Sequence, residues 1–359
     1  MMHGTPIAST AATAVCAAAG LAGLAYFWRR RRPAVDAVAH SRDDDDDVCW
    51  PCSAGDDDWI SFCNAQRRRR AVAPSQSAFR VTAVVVFRVN GPDRARRYVV
   101  GHNDEACNLL NSCCAERAAF LQMAGLFAPR GLTVDAVYIT TDAPHAVTPG
   151  PLCREYMFSS SWVDPAAMRI VLEGERGRPS RVESTLVALL PYASVYTRLR
   201  RAEQQGLGAR LGPLVTRSRD ALDEGPTKTA WRAAVAACSD DQRRELHPIS
   251  FGAACVLADG SVATAWQKKA LEYSCSLDAI CQLAPAIEAA RKRGVAPLVL
   301  CMADHFGVLH APFAPARAYL CEHALGDVPV ALHDEHGVLH VVNASELLPG
   351  LPDFQGCFE

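Results

Sequence analysis

A nine-residue run of β-formers, Val81 to Val89, sets the first constraint on the fold. A turn signal, Asn90-Gly91-Pro92-Asp93, follows it, and Tyr98 to Gly101 returns, so the spacing predicts a β-hairpin. A breaker-free stretch, Cys114 to Ala124, then predicts a helix ending near Gly125. A strand over Ala136 to Thr140, a loop, and a helix opened by Pro151 come next. A strand over Arg169 to Leu172 and a last helix near Val182 to Leu190 close the unit. Ahead of the hairpin, Asp56 to Val72 predicts a helix, with acids at its start and arginines at its end. Strands alternating with helices give an α/β fold, a mixed sheet flanked by helices. The arginines Arg67 to Arg70 read as a solvated helix end or as a phosphate contact.

The chemistry concentrates at Cys113-Cys114-Ala115-Glu116-Arg117. Cys114 falls at a helix N-terminus, where the backbone dipole favours a thiolate. Glu116 lies two residues on, placed to move protons beside whatever Cys114 binds. A buried structural cysteine is the plain alternative. Upstream lies Gly101-His102-Asn103-Asp104-Glu105, and downstream Thr148-Pro149-Gly150-Pro151-Leu152-Cys153-Arg154-Glu155. Cys153 sits early in a helix that Pro151 starts well, so two helix N-termini bring thiols forward.

This set resembles the cytidine deaminase family, whose pattern is G-x-N-x-E, then C-A-E-R, then S-P-C-x-x-C-R. The gap from Asn103 to Cys114 is the family's own. Asp142 fits an S-D pair, Ser77-Ala78-Phe79-Arg80-Val81 an S-x-F-x-V, and Leu189-Leu190-Pro191 a closing L-L-P. The resemblance is strongest to a divergent branch known from kinetoplastids and algae. It implies a cytidine deaminase-like αβα sandwich and zinc held by Cys114 and Cys153, with Glu116 as the proton shuttle. It implies that Asn103 and Glu105 hold the ribose of a free nucleoside, and that Phe79 packs on the base or simply fills the core. Arg117 and Arg154 are supporting residues, Arg154 offsetting thiolate charge. The chain departs from the pattern at Gly150, where the family has its third zinc ligand. His145, in the loop just before, is the candidate substitute; Cys113 is the other neighbour, turned about 100° away on a helix. The function implied is deamination of cytidine or deoxycytidine. The alternatives are a cytosine editor of RNA or DNA, and a catalytically dead nucleoside-binding or scaffold protein.

A weaker second copy runs from about Thr227 to Phe354. His247-Pro248-Ile249-Ser250 and Gly252-Ala253-Ala254 resemble the first strand, and Leu347-Leu348-Pro349 repeats the closing motif. Cys275-Ser276-Leu277-Asp278 stands where C-A-E-R belongs, and either Cys275 or Ser276 aligns with the metal cysteine. Pro312 to Arg317 stands where P-C-x-x-C-R belongs, without its cysteines. The chain thus reads as an internal duplication: a deaminase domain over 56–200, a Gly-, Arg- and Asp-rich linker over 201–226, and a degenerate domain over 227–359. In the family identical domains associate, so the second copy is expected to pack on the first, and a homodimer or pseudo-tetramer is the expected assembly.

Ahead of these lies an uncharged run, Pro6 to Trp28, whose 23 residues would span about 34 Å as a helix, enough for a bilayer. Arg29 to Arg32 follow and place the remainder in the cytosol by the positive-inside rule. A membrane anchor over 1–32 is the expectation, with an unordered tail or an organelle leader as the alternative. Asp43 to Asp47 reads as part of a solvated tether over 33–55. Within it, Cys49-Trp50-Pro51-Cys52 reads as a redox or zinc pair, with Cys63 near. The net charge of −2 argues against a chain built mainly to hold nucleic acid. Fifteen cysteines, scattered through a long chain, indicate thiol or metal chemistry in a reducing compartment rather than a disulfide framework.

Overall fold

A computed structural model of the chain describes residues 54–90, 96–108, 111–127 and 131–352. The expected anchor, the acidic run and the Cys49–Cys52 pair lie outside the described residues. Among the described residues no helix is long and apolar enough to cross a membrane.

The first repeat opens with helix α1, Asp56–Arg70. Three aspartates in its first turn and four arginines in its last complement the helix dipole. It buries Trp59, Ile60 and Cys63 against the sheet; Cys63 is fully buried beside the Thr82 and Tyr138 carbonyls. Arg67 corrects the solvated reading of the arginine run. It is fully buried and pairs with Asp142 and Glu175, so it is not open to phosphate.

Strand β1 (Val81–Val89) forms the expected hairpin with β2 (Arg96–His102). Helix α2 (Ala115–Phe127), strand β3 (Leu132–Thr141), helix α3 (Pro151–Ser159) and strand β4 (Arg169–Glu173) follow. The segment Val182 to Leu190 is not one helix: it is strand β5 (Val182–Thr185) and a one-turn helix, α4 (Leu186–Leu189). The sheet order is β2-β1-β3-β4-β5, with β3 and β4 parallel. Gly101 on β2 explains how closely α2 lies on this sheet. A Cβ there would land on the Ala115 carbonyl and the Ala119 amide.

The stretch expected to be a linker is instead mostly a 21-residue helix, α5 (Arg201–Ala221). Its Leu211 and Val215 are buried in a core shared with Trp231 and Ala303. Helix α6 (Pro226–Ala237), strands β6 (Phe251–Leu257) and β7 (Val262–Trp266), helix α7 (Ala279–Lys292) and strand β8 (Pro297–Asp304) come next. Short β9 (Leu309–His310), helix α8 (Ala314–Glu322), β10 (Pro329–His333) and β11 (Leu339–Asn343) complete the repeat. The second sheet runs β11-β10-β8-β6-β7, with β9 paired to β8. Apart from β9, this is the order of the first sheet. The fold is therefore an α/β arrangement of two like sheets, each flanked by helices.

Hydrogen bonds fix the register between the repeats. The Asn103 N–H donates to the Val81 carbonyl and the Gln267 N–H to that of Phe251. The bridge Asp104–Cys113 is matched by Lys268–Leu277. Cys114 thus corresponds to Asp278, not to Cys275 or Ser276, and Glu116 corresponds to Ile280. Asp278 caps α7, its Oδ1 accepting the Ile280 N–H at 2.7 Å. On the other motif, Arg154 Nε donates to the Pro149 carbonyl and Arg317 Nε to that of Pro312, both at 2.7 Å. Gly150 therefore corresponds to Phe313, and Cys153 to Ala316.

The same two arginines join the repeats. Arg154 Nη1 donates to Leu189 of its own repeat at 2.8 Å and to Pro349 of the other at 2.7 Å. Arg317 Nη1 donates to its own Leu347 at 2.6 Å and across to Pro191 at 2.7 Å. Each L-L-P segment then turns through a left-handed residue, Tyr192 at φ 50° and Gly350 at φ 58°.

Candidate functional site

Two helix starts and one hairpin build the site. The thiols of Cys114 and Cys153 and a carboxylate oxygen of Glu116 all lie within 4.8 Å of one another. Cys114 precedes α2 and Glu116 lies in its first turn; Cys153 lies in the first turn of α3. Cys153 and Glu116 are buried and Cys114 partly so. Among the described residues this is the one such group of three or more metal-ligating side chains.

The two thiols are unequal. A hydrogen bond from Cys153, with Arg117 beside it, brings the Cys114 thiol down to about 6. Cys153 moves the other way, well up, because it keeps the proton it shares with Cys114 and is buried. Burial, followed by the neighbouring Cys114 charge, pushes the Glu116 carboxyl up to about 7. Arg117 Nη2 donates to the Ser112 carbonyl at 2.9 Å and lies 3.8 Å from the Cys114 sulfur. Arg154 is fully buried and bonds backbone carbonyls rather than the thiols. Burial brings its pKa down to about 10.

A cavity of about 180 Å³ opens onto Cys114 and Glu116. Phe79, Asn103, Glu105 and Gly150 line it, and so do Ser77, Ser112 and Thr148. Asn103 and Glu105 reach the cavity while clamping the start of β1. Asn103 Oδ1 accepts the Val81 N–H at 2.7 Å and its Nδ2 donates to the Phe79 carbonyl at 2.8 Å. Glu105 accepts the Ser77 N–H at 2.8 Å and its hydroxyl at 2.6 Å. Between these clamps Ala78 holds a left-handed φ of 56°. Ser112 Oγ is buried without a hydrogen-bond partner. Ser112 and Thr148 carry no motif signal of their own in the sequence, although both stand inside or beside the cysteine motifs.

His145 does not join the thiol pair. It is outside the group of three and does not line the cavity; its backbone lies against Gly174, beyond β4. The expected substitute ligand is thus not delivered from that loop. Gly150 leaves open space instead. Its backbone, φ −59° and ψ 155°, suits any residue, and an added Cβ would meet nothing within 4 Å. Two sulfurs, one prepared as a thiolate, fit a zinc ion in kind, and Glu116 lies beside them.

No family model matches the sequence, and no curated protein matches it. Among solved structures, the cytidine deaminase from Burkholderia pseudomallei aligns over 38% of this chain and 98% of its own, at 22% identity and TM-score 0.32. That from Mycobacterium leprae aligns over 35% and 99%, at 23% identity and TM-score 0.29. That from Mycobacterium tuberculosis aligns over 35% and 96%, at 22% identity and TM-score 0.28. At such low TM-scores these likenesses decide nothing about the site, and nothing in them bears on the kinetoplastid or algal branch.

Proposed function

We propose that the first repeat is a zinc-dependent deaminase of cytidine or deoxycytidine. The observation that supports this most is the meeting of Cys114, Cys153 and Glu116 at one cavity with Asn103, Glu105 and Phe79. Cys114 and Cys153 would hold the metal. When bound, zinc supplies the Lewis acidity that makes water reactive towards the base at neutral pH, as in zinc deaminases generally. Glu116 would take a proton from the attacking water and return protons to ring N3 and to the departing amine. The overall change is cytidine plus water to uridine plus ammonia. Glu116 is buried at the cavity, where a carboxyl can accept and donate protons in turn. Asn103 and Glu105 keep free lone pairs beyond the Ser77 and Val81 bonds, and these suit sugar hydroxyls. Phe79 and Val147 give the base an apolar wall.

The rival reading is a nucleoside-binding protein without turnover. Gly150 favours it, because the two thiols then have no third protein ligand other than Glu116, and a coordinated Glu116 is lost as a proton shuttle. Assays on cytidine, cytidine monophosphate and single-stranded RNA, with zinc quantified in the same sample, separate the readings. Deamination of cytidine with about one zinc per chain supports the proposal. Zinc without turnover supports the rival, and preference for RNA supports an editor.

A further inference from the structure

The second repeat keeps a cavity where the first has its site, although its chemistry is gone. The cavity measures about 290 Å³, at the lower edge of the range usual for small-molecule sites, ~300–1,000 Å³. By the register of the two sheets, Gln267 stands at the place of Asn103, Phe251 at that of Val81, and Phe313 at that of Gly150. Asp278, Ile280 and Ala316 replace Cys114, Glu116 and Cys153, so no metal pair remains. Ser194 and Thr197, from the end of the first repeat, complete the wall.

The character of the wall selects the ligand. Phe251 and Phe313 meet edge to face with ring centroids 5.4 Å apart, an aromatic surface suited to a flat ring. The side-chain amide of Gln267 makes no hydrogen bond within the described residues, leaving both donor and acceptor for a ligand. His247 accepts the Ile249 N–H on Nδ1, which leaves Nε2 as its own N–H donor. The one cation in the wall is already neutralised. Lys269 Nζ lies 2.9 Å from Asp241 Oδ2, with both side chains buried. Among the lining residues themselves a phosphate would find no unpaired cation, Arg201 lying just outside the wall and donating to the Leu246 carbonyl and the Tyr273 hydroxyl, whereas an uncharged ring with a donor–acceptor edge finds partners on the wall.

We propose that this cavity is a second, non-catalytic site for a flat, uncharged heteroaromatic ligand of nucleobase or nucleoside type. The assignment rests on this cavity alone and stands whether or not the first repeat turns over.

Hydrogen–deuterium exchange on the full chain tests it, because peptides report the two cavities separately. The probes are cytosine, uracil and adenine, their nucleosides, and uridine 5′-monophosphate as the charged comparison. At least one neutral probe at millimolar concentration should protect peptides spanning 194–204 and 246–251. Gln267→Leu should raise the concentration needed for half-protection there about tenfold, the cost of removing one polar partner, and leave peptides 77–81 and 112–116 unaffected. Should Gln267→Leu fail to fold, Thr197→Val carries the same comparison. The proposal is overturned if no neutral probe protects those peptides. It is equally overturned if the folded variants bind as the parent does, or if the monophosphate binds more tightly than its nucleoside.

Discussion

Arg154 and Arg317 occupy the same position in the two repeats, and each reaches across to a backbone carbonyl of the other, Pro349 and Pro191, at 2.7 Å. The second repeat is thereby tied to the segment that carries Cys153. Thr148, in the wall of the first cavity, also donates to the Gly350 carbonyl at 2.6 Å. The second copy thus buttresses the site although it lacks the thiols to form a metal site of its own.

Arg317→Met tests this coupling away from the thiols. Arg317 is buried, and its guanidinium serves the carbonyls of Pro312, Leu347, Pro191 and Tyr192. Their loss should lower stability by about 3 kcal/mol or more, since each orphaned buried group costs ~1–3 kcal/mol. Urea unfolding of the variant and the parent checks it; a change within error would mean that the exchanged carbonyls are satisfied otherwise.

Gly101→Val should push α2, and with it Cys114 and Glu116, away from the sheet. Overpacking of this kind typically costs ~1–3 kcal/mol. The variant should melt earlier and bind zinc more weakly, as read by calorimetry and by metal titration. Retention of both would show that the close approach of α2 does not set the site.

Gly150→Cys should restore a third thiolate without strain, because the backbone is ordinary and the space is open. Zinc affinity should rise at least tenfold while the melting temperature of the metal-free protein stays within a degree or two, order-of-magnitude figures for one added ligand. An unchanged affinity would indicate that position 150 does not face the Cys114–Cys153 pair.

The fold was legible where local patterns are strong. The hairpin at Val81, the helix after Cys114 and the helix opened by Pro151 stand where the sequence placed them. Legibility failed where small residues serve packing. The Gly-, Arg- and Asp-rich composition of 201–226 reads as a linker, yet in α5 a Cβ at Gly208 would meet the Phe306 ring and the Tyr196 hydroxyl, and one at Gly212 the Phe306 carbonyl. Composition cannot distinguish a glycine that gives freedom from one that permits contact. The alignment of the second copy failed for a related reason. Cys275 drew attention by its chemistry, but strand register, which follows from pairing across a sheet, assigns the position to Asp278. At the site, the two helix starts that carry Cys114 and Cys153 were legible locally, and it was the family resemblance that implied their meeting with Glu116, which the structure brings together. The position of His145 was not legible, since a loop's path depends on what it packs against, here Gly174.

Glu116 is proposed to move protons beside a zinc held by Cys114 and Cys153. The most direct measurement is cytidine deamination by Glu116→Gln and the parent at equal zinc content, with Cys114→Ser as the metal-free control. About one zinc per chain is expected in the parent and in Glu116→Gln. Turnover should fall by ~10²-fold or more in Glu116→Gln, the usual contribution of a general acid–base group, and both zinc and turnover should be lost in Cys114→Ser. Loss of zinc from Glu116→Gln would make Glu116 a ligand, and undiminished turnover would remove it from the chemistry; either result contradicts the account.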